Sequence, residues 1–198
     1  MEQPQRLILR FELHGDAPVN LDDVIPVFHG WIQNGRLSTM LIDVADYKHV
    51  EASPGVVLIG HTDDCGIDNG LPQAESGQGF HYTRKHARLS DEASFLERLR
   101  QLWTNALEAA EALEQEAGLG VSINPGRLQL TVPDRLRYAF TEANVQAVAA
   151  LVREWLAEVF GSVDVSVSHP GVDERLPLTL TVAVAGEHSV ASVQASGN

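Results

Sequence analysis

The chain has a single cysteine, Cys65, only two lysines, and no apolar run near the ~20 residues a membrane-spanning helix requires. The lone cysteine excludes an intramolecular disulfide and the small disulfide-stapled scaffolds that depend on one. Scarce lysine sharpens the charge imbalance. Fourteen basic residues face 27 acidic ones, a net charge of −13. A general nucleic-acid binder neutralises phosphates with Lys and Arg, so neither nucleic acid nor membrane is expected as a partner. The opening MEQPQRLILR has an early acid and no apolar core, so no secretory signal is expected and the cytoplasm is the expected location. Signatures of dinucleotide-binding, P-loop, kinase, hydrolase-elbow and zincin sites are absent, and the sequence names no cofactor. The acidic, lysine-poor bias fits a salt-loving host and a GC-rich genome equally well.

What is present describes a globular chain. Its 198 residues, 44% hydrophobic and 21% charged, are enough to bury roughly 70% of the unfolded surface, in one domain or two small fused ones. In the first strand Leu7, Leu9, Phe11 and Leu13 share one face, Arg10 and Glu12 the other. A short helix follows with Val24, Val27, Phe28, Trp31 and Ile32 on one side. Pro26 is expected in its first turn, with Asp22 or Asp23 as N-cap and Gly35 closing it. Thr39–Ala45 and Gly55–His61 read as strands, the second apolar on both faces and therefore central. Thr62–Gly79 reads as a long loop before a strand over Phe80–Lys85. Two long helices are predicted, Ser90–Gly118 and one capped by Thr141 and stopped by Gly161. Between and after them, Leu128–Val132, Val163–Val167 and Leu176–Val184 alternate as strands.

Element order repeats. Arg6-Leu7-x-Leu9, helix, Ile42-Asp43-Val44, turn, Val56–Ile59 is matched by Arg127-Leu128-x-Leu130, helix, Val163-Asp164-Val165, turn, Leu178–Val182. The predicted fold is α+β: a two-layer sandwich with a largely antiparallel sheet and helices on one face. Two strand-helix-strand-strand units build it, an internal duplication that resembles ferredoxin-like architecture. The first unit spans 1–89, the long helix and its connection 90–126, the second unit 127–186, and a frayed polar tail 187–198. Such architecture hosts many activities and names none.

The open sheet face differs between halves. In the second it carries Gln129, Thr131, Asp164, Ser166, Ser168, Thr179 and Thr181, a solvated surface. In the first it carries Leu41, Asp43, Ala45, Val57, Ile59 and His61, which need a cover. The first half is therefore the expected working half. It also holds the acidic stretch His61–Gly70 and the concentrated basic segment His81–Arg88. The leading expectation is a binding or assembly module that engages a protein partner, a second copy as a homodimer, or a small anionic ligand. Asp43, His61, Asp68, Tyr82, Arg84 and Lys85 are its candidate residues. The alternative is a metal-assisted hydrolase with His61, Asp63, Asp68 and His81 as ligands, supported by Asp43. Cys65 with His61 or His81 offers a nucleophile and base without an orienting third group. Whether the chain is an enzyme stays open at this stage.

Overall fold

The computed structural model describes residues 4–14, 18–51, 54–70, 77–85 and 93–196. Within them the chain runs β1 (Leu7–His14), α1 (Leu21–Asn34), β2 (Leu41–Asp46), β3 (Gly55–Gly60), β4 (Asp63–Asp68), β5 (Gly79–Arg84) and α2 (Phe95–Glu114). It continues with β6 (Ser122–Val132), α3 (Glu142–Phe160), β7 (Val165–Ser168), β8 (Leu178–Val184) and α4 (Val190–Ser196). The strands form one eight-stranded sheet in the order β2-β3-β4-β5-β1-β6-β8-β7. Every pairing is antiparallel. The fold is α+β. Because β1 of the N-terminal half pairs with β6 of the C-terminal half, the halves share one sheet.

Period-two alternation decides which side chains meet the helices. Leu7, Leu9 and Phe11, Val56 and Leu58, Leu128 and Leu130, Leu180 and Val182 are buried in one core cluster with the apolar stripes of α1, α2 and α3. α1 packs over β2 and β3, α2 over β1, β5 and β6, and α3 over β7 and β8. At the centre, Trp103 lies edge-on to Phe11 and Trp155, with ring centroids 5.6 and 5.0 Å apart.

Several local expectations are corrected. Asn20, not Asp22 or Asp23, caps α1 by accepting the Asp22 N–H, so the helix begins earlier and Pro26 falls beyond its first turn. Burial of Leu21, Val24, Phe28 and Trp31 outweighs the hydrogen bond Pro26 cannot donate. Gly35 closes the helix at φ 59°, a left-handed backbone that glycine adopts without a Cβ penalty. Within the expected Thr62–Gly79 loop, Asp63–Asp68 is a strand, with Cys65 and Ile67 buried inward. Its aspartates resemble a solvated turn in sequence. In the fold Asp63 and Asp68 are buried, Asp64 is half-buried, and all three are paired.

α2 starts at Phe95 and ends at Glu114, inside the predicted bounds; Ser90, the expected cap, lies outside the described residues. The actual cap is Ser94, which forms a reciprocal capping box with Glu97. Ser94→Ala should cost about 1 kcal/mol. Thermal unfolding would register this as a fall of about 2–4 °C. An unchanged midpoint would mean that the box adds nothing to the helix start. The expected frayed tail is also corrected. Val190 and Val193 are buried against the core in α4, because two small apolar residues one helical turn apart suffice to dock it.

Candidate functional site

β4 carries aspartates at both ends. Asp63 and Asp68 are an odd number of positions apart, so the pleat sends them to opposite sides of the sheet. Each meets an arginine. On the helix side, Asp63 Oδ1 lies 3.3 Å from Arg84 Nε, and Thr62 Oγ1 donates to Asp63 Oδ2 at 2.7 Å. On the open side, Arg10 Nε donates to Asp68 Oδ1 and Oδ2 at 3.1 and 2.9 Å, and Nη2 donates to Oδ1 at 2.7 Å. Arg10 Nη2 also donates to the Gly77 carbonyl at 2.7 Å. Both side chains of this second pair are almost wholly removed from solvent. Charge-assisted, fork-shaped contact of this kind holds a carboxylate rigidly.

His81 completes the open-side group, its Nδ1 standing 3.5 Å from Asp68 Oδ2. That is an electrostatic contact at long range for a hydrogen bond. Burial works against ionisation of Asp68, but contacts with His81 and Arg10 outweigh it and hold the carboxyl below its ordinary value. Two glycines make room. A Cβ at Gly79 would overlap the Arg10 guanidinium, and one at Gly66 would come within 2.9 Å of His81 Cε1.

Register aligns these residues in one row across the sheet. Val57 pairs with Gly66, Gly66 with His81, His81 with Arg10, Arg10 with Gln129, and Gln129 with Thr181. Ile8 lies in the next row between Thr83 and Thr131. The β2–β3 connection contributes Tyr47 and Val50 and the β7–β8 connection contributes Pro170 and Pro177, so the sheet face is walled into a trough of about 550 Å³. That volume is in the range of small-molecule sites. Arg10 is the one Lys or Arg among the described residues lining it, and Asp68 neutralises that charge.

The sequence-derived candidates do not converge on one place. Asp68 and His81 line the trough together. Tyr82, Arg84 and Asp63 lie on the other face, buried beneath the helices. Asp43 and His61 are exposed and outside the trough, the Asp43 carboxylate accepting the Val44 N–H. Lys85 donates to the Gly60 carbonyl and pairs with Asp64 at 2.8 Å. The proposed metal set therefore does not assemble. Asp63 is separated from Asp68 and His81 by the sheet, and no group of three or more His, Cys, Asp or Glu among the described residues is placed to hold an ion. Cys65 points into the core, where burial and then Asp64 and Asp63 push its thiol far above the usual range. Burial keeps this thiol away from any ligand in the trough.

The trough is not confined to the first half: Gln129, Thr131, Thr179 and Thr181, expected on a solvated surface, line it. Arg10, which alternation places with Glu12 on the strand face opposite the leucines, is 2% exposed. The signal that could have marked it is Gly79, in a strand where β-branched or aromatic residues are favoured and where a Cβ would overlap the Arg10 guanidinium. Comparison of the chain with protein-family models, curated proteins and solved structures finds no match.

Proposed function

We propose that the protein is a binding module that holds a small neutral molecule in the trough across the open face of its sheet. The observation that carries this reading is the enclosure of one sheet face around a buried, charge-neutral Arg10–Asp68 pair. Apolar groups from Ile8, Tyr47, Val50, Val57, Pro170 and Pro177 dominate the walls, and they suit an apolar ligand body. An anionic ligand, the expectation from the basic segment, is less well supported. Arg10, Arg84 and Lys85 each already face a carboxylate. We also read the two halves as variants of one unit with ferredoxin-like connectivity. In support, β8 lies between β6 and β7 much as β5, β4 and β3 lie between β1 and β2.

Val57→Asp tests the site. Val57 is half-buried on the open face, so its replacement should leave the fold intact while placing a charge in an apolar wall. Binding of Nile red, a neutral environment-sensitive dye, should weaken by about tenfold or more, as expected for ~1.4 kcal/mol or more of desolvation cost. Circular dichroism should not change. Unchanged dye affinity would remove the trough from consideration. A change in sizing behaviour alone would favour a protein partner or a second copy at this face.

A further inference from the structure

Resting on the reading of the trough as a small-molecule site, we propose that His81 selects its occupant. The ligand is a neutral, mostly apolar molecule carrying one hydroxyl or N–H, which donates to His81 Nε2. Three observations lead there. Asp68 is pinned by three contacts from Arg10 and by the Gly70 N–H at 2.9 Å. The carboxylate facing His81 is thus fixed, and its Oδ2 beside Nδ1 favours the tautomer with the proton on Nδ1. The ring occupies the space above Gly66 that any side chain there would fill. Its remaining nitrogen, Nε2, is then an acceptor, and it has no partner among the described residues.

Some of the other polar groups nearby are already engaged. Thr131 and Thr179 share a hydrogen bond at 3.0 Å, and Thr179 also donates to the Pro177 carbonyl. Arg10 is committed to Asp68 and Gly77. Gln129, Thr83 and Thr181 also line the trough, but among the described lining residues His81 alone offers an acceptor oriented by a fixed carboxylate, the arrangement by which such sites orient a ligand. A charged ligand gains nothing here. A cation would meet a carboxylate already paired, and an anion would enter a protein of net charge −13 without an uncompensated cation to receive it.

Titration calorimetry at about pH 8, where an ordinary imidazole is neutral, distinguishes the possibilities with two probes. They are 4-phenylphenol and its methyl ether, 4-methoxybiphenyl, which keeps the apolar body but lacks the donor. The wild-type protein should prefer the phenol by about 3- to 10-fold, the worth of one net hydrogen bond. In His81→Phe the preference should vanish while the ether still binds. Equal affinities in the wild type, or a preference that survives His81→Phe, would overturn the role of His81 and leave the trough standing. Failure of both compounds to bind would overturn the trough and the inference together. Should His81→Phe not fold, nitrogen-15 spectra of the wild-type imidazoles supply the readout. Nε2 should be unprotonated and shift with the phenol but not the ether; a proton on Nε2 would overturn the assignment.

Discussion

Gly79→Ala should destabilise the protein by about 3–5 kcal/mol, the range for breaking one side of a buried ion pair. Ordinarily this substitution in a compatible conformation stabilises by about 0.4–1 kcal/mol, because alanine restricts the unfolded chain. Here the added methyl would overlap Cζ, Nε and Nη2 of Arg10. The guanidinium cannot move aside without leaving Asp68, and Asp68 would then be a buried carboxylate with no cation. Gly77→Ala is the control, since a Cβ there meets nothing within 4 Å. Urea denaturation of the two variants makes the comparison. Equal midpoints would mean that Arg10 finds another position at little cost.

Acid behaviour supplies a second readout of the same pair. The native Asp68 carboxyl is held below its ordinary value. Its stabilising contribution is complete above the unfolded value of about 3.9. It is lost as pH falls through the native value, where protonation releases the contact with Arg10. In Gly79→Ala that contribution to the acid limb should disappear, so wild type and variant should converge in stability below about pH 4. A constant difference across the acid range would place the destabilisation somewhere other than the ion pair.

Trp155→Ala should be similarly costly, about 3–5 kcal/mol, while Trp155→Phe should cost much less. Trp155 is fully buried and meets the edge of Trp103, yet its Nε1–H has no partner among the described residues. An orphaned buried donor costs about 1–3 kcal/mol. Phenylalanine removes that donor and keeps most of the apolar contact, so loss of packing and relief of the orphan offset each other. Alanine relieves the donor too, but it leaves a cavity between α3 and α2, where Trp155 meets Trp103. Chemical denaturation of both variants checks the ordering. If Trp155→Phe proves as damaging as Trp155→Ala, the indole N–H is hydrogen-bonded in solution, through a bound water for instance.

The long helices and most strands were legible because their signals are local. Leu99, Trp103, Ala106, Ala110 and Leu113 recur at the helical period, and all are buried. Thr141 and Gly161 bound α3 as their chemistry dictates. The β4 strand was not legible, because alternation there is carried by Cys65 and Ile67 against two aspartates and a glycine. That pattern is shared by turns. Asp43, His61 and Lys85 were reasonable candidates for a common site, since pleat alone cannot tell which end of a long sheet each occupies.

The sequence by itself determined an acidic α+β chain with amphipathic helices, alternating strands and a lone cysteine that forms no intramolecular bridge. Only the tertiary structure decided which charges meet. Arg10 and Asp68 are remote in sequence, and nothing local distinguishes either from a solvated surface residue. Sheet order places β1 and β4 on either side of β5, and the missing side chains of Gly66 and Gly79 leave the space in which the pair and His81 fit. Periodicity is a property of neighbouring residues, whereas a site depends on strand order and register, which are set by contacts between distant ones.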